Sequence, residues 1–196
     1  MKKVFVSPEE LRRDSFKLAD QIVKSEFKPD FIICLWRGGA PIGMYIHEFL
    51  KYKGIKCELK IVRTSKYIGI GECNEYVKVD IRDALDVLNA NSKVLIVDDI
   101  FETGCSIEAV LNNMHYITTD SINSSLNEPS NLKKLQYPKD IKIATIHYKP
   151  EKRVTHFAPD YYLIETDSWI VYPHELEGLT LEEIKNGMGI EILELL

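Results

Sequence analysis

Residues 94–106 read VLIVDDIFETGCS and join an apolar run to a turn rich in acids, hydroxyls and glycine. Residues 94–97 are apolar and mostly β-branched, which predicts a buried parallel strand. Residues 106–114 carry apolar side chains at helical spacing. We therefore predict that residues 98–105 form a strand-to-helix turn.

This turn has the groups that bind a phosphate. The backbone N–H groups at a helix N-terminus attract an anion, Gly104 permits close approach, and Thr103 and Ser106 add hydroxyl donors. The carboxylates of Asp98 and Asp99 would repel a phosphate, so we expect them to bind sugar hydroxyls or a divalent cation. The implied ligand carries phosphate, hydroxyls and metal together.

Other interpretations of this stretch are weaker. The chain contains no Gly-x-x-x-x-Gly-Lys-Ser/Thr string, which argues against a nucleotide hydrolase with a Walker-type loop. Receiver domains carry an acidic pair near their start, whereas this pair lies near the middle of the chain. Helix capping accounts for one acid but not for Asp98, Asp99 and Glu102 together.

Length and composition indicate one soluble globular domain over residues 1–196. The chain is 45% hydrophobic and 28% charged, as ordinary globular proteins are. The net charge of -5 and the lack of a long Lys/Arg cluster argue against nucleic acid as a partner.

The sequence predicts a cytoplasmic protein without a membrane partner. No apolar run approaches the ~20 residues that span a bilayer, and the start of the chain leads into strand-like residues. The four cysteines form no Cys-x-x-Cys pair, which favours reduced thiols over a zinc site or disulfides.

Strands and helices alternate along the chain, which predicts an α/β fold with a parallel twisted sheet flanked by helices. Ser7, Pro8 and Glu10 provide the cap, the proline and the capping-box acid of a first helix over residues 8–26. Residues 118–138 are polar with weak periodicity and predict a surface insertion. The other predicted elements are strands 31–36, 56–62, 76–81, 142–147 and 161–165, helices 41–53, 83–88 and 180–186, and a loop at 64–75.

Residues 94–106 resemble the phosphoribosyl pyrophosphate (PRPP) signature of type I phosphoribosyltransferases. The shared pattern is four apolar residues, two acids, two apolar residues, an acid and Thr-Gly-x-Ser/Thr. The resemblance implies the type I phosphoribosyltransferase fold, in which helices flank a parallel twisted sheet and the chain ends form a small hood region. It also implies that Asp98 and Asp99 bind the ribose hydroxyls. The residues that would wrap the 5′-phosphate are Glu102, Thr103, Gly104, Cys105 and Ser106.

Two further loops resemble family elements. Arg37, Gly38 and Gly39 follow a predicted strand and match the pyrophosphate loop, where an arginine and free amides would bind the leaving group. Ser65 and Tyr67 stand where the family has its mobile Ser-Tyr loop, which would close over the site.

The C-terminal part resembles xanthine-guanine and hypoxanthine-guanine enzymes. By that resemblance, Lys149 would donate to the purine O6, Trp169 would stack on the ring beside Ile170, and Glu175 would bind Mg²⁺ together with Asp99. Such a donor would select a 6-oxopurine over adenine, because a mismatch leaves a buried polar group unpaired.

The implied activity is transfer of 5-phosphoribosyl from PRPP to hypoxanthine, guanine or xanthine, with release of pyrophosphate, in purine salvage. Mg²⁺ would be the cofactor, and Glu102 would handle the ring proton of the purine. We expect a homodimer or a higher homo-oligomer. The chain departs from the family at Glu102, which replaces aspartate, at Cys105, and at His174 and Glu175, which replace an aromatic-Asp pair.

Two alternatives stay open. One is a phosphoribosyltransferase of the same fold acting on orotate, uracil or adenine, against which Lys149 and Trp169 speak. The other is a non-catalytic sensor of PRPP or a nucleotide. A sensor that acts on nucleic acid would need a basic face, and the negative net charge argues against one.

Overall fold

The computed structural model describes residues 3–66, 77–81, 88–124 and 137–196. The strands are β1 (Lys3–Phe5), β2 (Phe31–Trp36), β3 (Glu58–Lys66), β4 (Val77–Asp80), β5 (Lys93–Phe101), β6 (Asp140–Tyr148), β7 (Tyr161–Glu165) and β8 (Trp169–Val171). The helices are α1 (Pro8–Lys24), α2 (Gly39–Tyr52), α3 (Cys105–Ser124), α4 (Leu181–Gly187) and α5 (Ile190–Leu193), with a 3₁₀ turn at Pro150–Lys152.

The main sheet has six strands in the order β4-β3-β2-β5-β6-β7. All neighbours run parallel except β3 and β4, which are antiparallel. The predicted α/β class is therefore confirmed. The chain adds β3 on one side of β2 and later β5 on the other, so the strand order reverses between β2 and β5. Ligands of open α/β sheets bind at this position, beyond the carboxyl ends of the strands.

Helices cover both faces of the sheet, and the central strand β2 is apolar along its whole length. On β2, Ile32 and Cys34 belong to a core cluster that includes residues of α1 and α2, whereas Ile33 and Leu35 belong to a second cluster that includes residues of α3. Successive side chains of a strand point to opposite faces, so the apolar residues of β2 contribute to both clusters.

The first helix begins as the sequence predicts. The Glu10 N–H donates to Ser7 Oγ at 3.2 Å, and the Ser7 N–H donates to Glu10 Oε2 at 2.9 Å, which completes a capping box. The helix ends at Lys24, slightly earlier than predicted, and Glu26 takes a positive φ of 62°.

The chain ends form the predicted hood, which we define as β1, β8, α4 and α5. β1 and β8 pair in parallel, with Lys3 opposite Trp169 and Phe5 opposite Val171. Lys3 Nζ lies 2.8 Å from Glu183 Oε1, which joins this small sheet to α4. Among the described residues, none of the helices has the length and hydropathy that a bilayer span requires.

Three element predictions need correction. β5 continues to Phe101 instead of ending at residue 97, because its pairing with β6 extends through Ile100 and Phe101. Residues 118–124, which the weak periodicity predicts as irregular surface structure, are helical and form the end of α3. Residues 64–66 continue β3, since they pair with β4, and are not loop. The rest of the predicted loop, residues 83–87 of the predicted helix and residues 125–136 lie outside the described residues.

Candidate functional site

Two adjoining cavities lie where the parallel strands end. The turn crevice, of about 180 Å³, is lined by residues 98–104, Ser106 and Ile107. The lysine cavity, of about 440 Å³, is lined by Asp99, Ile100, Glu102, Lys149, Lys152, Trp169, Ile170, Tyr172 and Glu175. The two share Asp99, Ile100 and Glu102. A ligand that fills both would pass over the end of β5.

The turn crevice is shaped by Gly104. This residue has a φ of +86°, and a Cβ on it would lie 2.5 Å from Thr155 Oγ1 and 2.7 Å from Phe101 Cζ. Thr103 is fixed on both sides, since its Oγ1 accepts from the Cys105 N–H at 3.3 Å and its carbonyl accepts from the Val154 N–H at 3.1 Å. The turn therefore leads directly into α3, whose first N–H groups lack helical acceptors.

The loop after β2 packs against the acidic pair. A Cβ on Gly38 would overlap the carboxylate of Asp99, and a Cβ on Gly39 would overlap the carbonyl oxygen of Val97. The Arg37 side chain is exposed and lies 3.6 Å from Glu177 Oε2. The peptide bond between Trp36 and Arg37 is cis. The structure thus brings the predicted pyrophosphate loop beside Asp98 and Asp99.

Glu102 is paired with two lysines. Its Oε1 accepts from Lys152 Nζ at 2.7 Å and from Lys149 Nζ at 3.3 Å. Burial alone would raise the pKa of the Glu102 carboxyl, but the hydrogen bond from Lys152 and the charge of Lys149 outweigh it and lower the pKa below its ordinary value. Glu102 is therefore an ionised acceptor at neutral pH.

Trp169 and Ile170 form an apolar part of the lining of the lysine cavity. Trp169 is 55% exposed, whereas Ile170 and the side chain of Lys149 are buried. Lys3 Nζ lies 5.6 Å from the centroid of the Trp169 ring. The predicted purine-binding residues thus line one cavity together with Glu102.

Tyr172 connects the acidic residues of the two cavities. Its hydroxyl donates to the Asp99 carbonyl at 2.8 Å and lies 2.7 Å from His147 Nδ1. Because the hydroxyl has a single proton, His147 must carry its proton on Nδ1 and donate to it. The Tyr172 N–H donates to Glu175 Oε2 at 3.1 Å. Burial raises the pKa of Tyr172 well above its ordinary value, so the hydroxyl stays a donor.

Asp99, His174 and Glu175 form a set of candidate metal ligands. One donor atom from each lies within 4.8 Å of the others. His174 Nε2 is 3.7 Å from Asp99 Oδ2, too far for a hydrogen bond. Carboxylate oxygens are the ligands that Mg²⁺ prefers, so Asp99 and Glu175 fit this ion.

The sequence did not predict a role for three residues of the site, namely Lys152, Tyr172 and His147. Lys152 lies at the end of the 3₁₀ turn that follows Lys149. The proline that begins this turn is the feature of the sequence that could have predicted the turn. No local pattern marks His147 or Tyr172. Of the predicted mobile loop, Ser65 lies in β3 and Tyr67 lies outside the described residues.

Comparisons with known proteins agree with this geometry. A family model described as "Phosphoribosyl transferase domain" matches residues 8–124. The hypoxanthine-guanine phosphoribosyltransferase of Lactococcus lactis is 26% identical over 164 residues, which are 82% of this chain and 75% of that protein. The enzyme of the same name from Streptococcus pyogenes is 25% identical over 162 residues, or 82% and 77%.

Solved structures give the same result. The purine phosphoribosyltransferase of Pyrococcus horikoshii is 30% identical with a TM-score of 0.65, over 92% of this chain and 99% of that one. A Neisseria gonorrhoeae protein with bound ppGpp has a TM-score of 0.68 at 18% identity, over 95% of both chains, and supports the fold alone. Since the family model spans most of the chain, this protein belongs to the phosphoribosyltransferase family and is a PRPP-dependent glycosyltransferase.

Proposed function

We propose that this enzyme transfers 5-phosphoribosyl from PRPP to a ring nitrogen of hypoxanthine, guanine or xanthine and releases pyrophosphate, a purine salvage reaction. The observation that carries the proposal is the pair of adjoining cavities. The turn crevice has the acids, hydroxyls and helix N-terminus that suit a ribose phosphate. The lysine cavity next to it has a buried lysine and an exposed tryptophan, which suit a carbonyl-bearing aromatic base.

PRPP binding would use the turn crevice and the loop after β2. The 5′-phosphate accepts hydrogen bonds from the hydroxyls and amides of residues 103–106, and the ribose hydroxyls donate to Asp98 and Asp99. Pyrophosphate lies toward Arg37 and the Gly38 N–H. The absence of a side chain at Gly38 keeps the loop in contact with Asp99, so the sugar and the leaving group are held side by side.

The purine would occupy the lysine cavity. Its volume of about 440 Å³ is in the range of small-molecule sites. Lys149 is only 5% exposed, and its ammonium has a long hydrogen bond of 3.3 Å to Glu102 Oε1. A 6-oxo group offers this ammonium a further acceptor, which a 6-amino group does not. Trp169 offers a ring face for stacking.

Mg²⁺ is the proposed cofactor, held by the carboxylates of Asp99 and Glu175. When bound, the cation would neutralise the negative charge of the leaving pyrophosphate. The chain itself positions the reactants and stabilises the oxocarbenium-like transition state with the nearby carboxylates.

Glu102 would take up the ring proton of the purine. Its shorter ion pair is with Lys152, at 2.7 Å, and its longer one is with Lys149, at 3.3 Å. Lys149 can therefore turn to the purine oxygen while Lys152 keeps the carboxylate in place. With Lys149 bound to the purine and Lys152 bound to Glu102, the ionised Glu102 lies next to the base and accepts its proton.

The test is pyrophosphate release from PRPP and Mg²⁺ with hypoxanthine, guanine, xanthine, adenine, uracil or orotate. We expect turnover with at least one 6-oxopurine. Turnover confined to adenine or a pyrimidine would contradict the assignment. Tight PRPP binding without turnover on any base would favour the sensor. Asp98→Asn is the matched negative control, because it removes the charge and replaces one of the two proposed ribose acceptor oxygens with an NH₂ donor at nearly constant volume.

A further inference from the structure

His174 is the one member of the proposed metal set that the family resemblance does not explain. It stands where a bulky aromatic residue is usual, yet its Nε2 lies 3.7 Å from Asp99 Oδ2. The donor atoms of His174, Asp99 and Glu175 all lie within 4.8 Å of one another. An apolar ring at position 174 would leave two carboxylates there, whereas histidine adds a nitrogen donor.

The imidazole of His174 has no hydrogen-bond partner among the described residues. Within the described part of the chain, neither Nδ1 nor Nε2 has one, and both atoms are inaccessible to solvent. A buried polar atom without a partner costs free energy, and native proteins rarely leave two such atoms on one ring. A ligand that binds one of these nitrogens would remove part of that cost.

Tyr172 contacts all three of these residues, His174, Asp99 and Glu175. Its ring lies nearly parallel to the His174 ring, with an interplanar angle of 9° and a centroid separation of 5.6 Å. The Tyr172 hydroxyl donates to the backbone carbonyl of Asp99, and the Tyr172 N–H donates to the Glu175 carboxylate. All three candidate ligands therefore share one buried support, which is the arrangement of a preorganised site.

We propose that His174 is a nitrogen ligand of the divalent cation at this site, and that it makes the site favour Mn²⁺ and Co²⁺ over Mg²⁺. The proposal rests on the proposed function, which assigns the cation to Asp99 and Glu175. Imidazole suits first-row transition metals, whereas Mg²⁺ binds oxygen ligands and keeps its water shell. One nitrogen among carboxylates thus changes metal preference without removing metal binding.

The experiment measures metal binding and not activity. MgCl₂, MnCl₂ and CoCl₂ are titrated calorimetrically into the full chain without PRPP, pyrophosphate or base, so that a direct contact of His174 with phosphate oxygens contributes nothing. The variants are His174→Phe, which removes the nitrogens and keeps a flat ring, and Glu175→Gln. His115→Phe on α3 is the control for loss of a histidine elsewhere.

We expect His174→Phe to weaken Mn²⁺ and Co²⁺ binding about tenfold or more, since even changes around metal ligands cost that much. Mg²⁺ binding should stay almost unchanged, and His115→Phe should change none of the three. An equal loss for all three cations, or no loss, would overturn the proposal.

A second measurement does not depend on the fold of a variant. Pulsed EPR of Mn²⁺ bound to the unmodified chain should show coupling to an imidazole nitrogen, and the absence of that coupling would overturn the ligand assignment. If Glu175→Gln leaves every cation bound as before, the metal site of the proposed function fails as well. If Glu175→Gln weakens all cations while His174→Phe has no effect, only the histidine ligand fails.

Discussion

Gly38 lies directly against the carboxylate of Asp99. A Cβ at position 38 would overlap Asp99 Oδ2 and lie 2.8 Å from Oδ1. The contact follows from the sheet, because β2 and β5 are parallel neighbours with Cys34 opposite Val97, so the residues after them meet at the same edge. The predicted pyrophosphate loop and the acidic pair therefore lie in contact at one edge of the sheet.

Gly38→Ala should impair catalysis without unfolding the protein. The added methyl group pushes the Asp99 carboxylate away from its hydrogen bond with the Ile100 N–H, which is 2.7 Å long. Misplacing a reacting group by 1 Å can cost about 10²-fold in rate, so we expect kcat/KM to fall by about that factor. Steady-state pyrophosphate release measures it.

Gly54→Ala is the matched control for Gly38→Ala. Gly54 has a φ of +78° and nothing within 4 Å of an added Cβ, so alanine there strains only the backbone. We expect a lower Tm and an unchanged kcat/KM. If Gly38→Ala behaves in the same way, the contact with Asp99 has no functional role.

Glu102→Gln should lower turnover far more than it weakens PRPP binding. The amide is nearly isosteric but cannot take a proton, and acid–base help of this kind is worth about 10²- to 10⁴-fold. Pyrophosphate release gives kcat, and calorimetry gives the PRPP Kd. The exposed Glu151 supplies the control, since Glu151→Gln should change neither quantity. Unchanged turnover in Glu102→Gln would remove Glu102 from the mechanism.

The stability that Glu102 contributes should depend on pH in a defined direction. The pKa of its carboxyl is lowered in the folded state from an ordinary value of 4.5, so the unfolded chain takes up the proton first as the pH falls. The contribution is therefore complete at neutral pH, begins to decline near pH 4.5 and is lost as the pH falls through the lower pKa of the folded state. Urea unfolding of the unmodified chain and of Glu102→Gln should show a difference that narrows below about pH 4.5. A difference that widens would contradict the assigned ion pairs.

Local signals in the sequence predicted much of the fold. The capping box of Ser7 and Glu10 and the apolar run of β2 each depend on neighbouring residues, and both are found as expected. The hood was expected from the resemblance, but its strands β1 and β8 are too short to carry a β pattern of their own.

The remaining features depend on contacts between distant residues. Tyr172 bonds the carbonyl of Asp99, and Lys152 pairs with Glu102, across many positions of sequence. β5 runs through two aspartates to Phe101 because β6 offers ladder partners, although the local composition favours a turn. These contacts form only when the sheet folds, so neighbouring residues in the sequence do not predict them.

Trp169→Leu should weaken purine binding and leave PRPP binding intact. Stacking of a base on an aromatic ring is worth about 1–3 kcal/mol, which corresponds to a rise of about 5- to 150-fold in the KM for the base. Tyr52→Leu on α2 is the control, since Tyr52 is 85% exposed and lines neither cavity. An unchanged KM for the base in Trp169→Leu would place the purine elsewhere.

Tyr172→Phe should destabilise the protein and disturb the site together. The substitution removes the hydrogen bond to the Asp99 carbonyl and leaves His147 Nδ1 without its partner. Tyr172 is only 1% exposed, so water does not replace these bonds. A buried group left unpaired costs about 1–3 kcal/mol, so we expect a lower free energy of unfolding by that order. Turnover should fall as well, because the backbone that carries Asp99 loses its support.

The comparison with Tyr162→Phe separates this role from the general loss of a hydroxyl. Tyr162 donates to Glu165 Oε1 at 2.7 Å on an exposed edge, where water replaces the bond, so its loss should cost within about 0.5 kcal/mol. Urea unfolding and pyrophosphate release of both variants give the contrast. Because the Tyr172 backbone still bonds Glu175 in the Phe variant, the loss should appear through Asp99. Full turnover with reduced stability would make Tyr172 a core residue only.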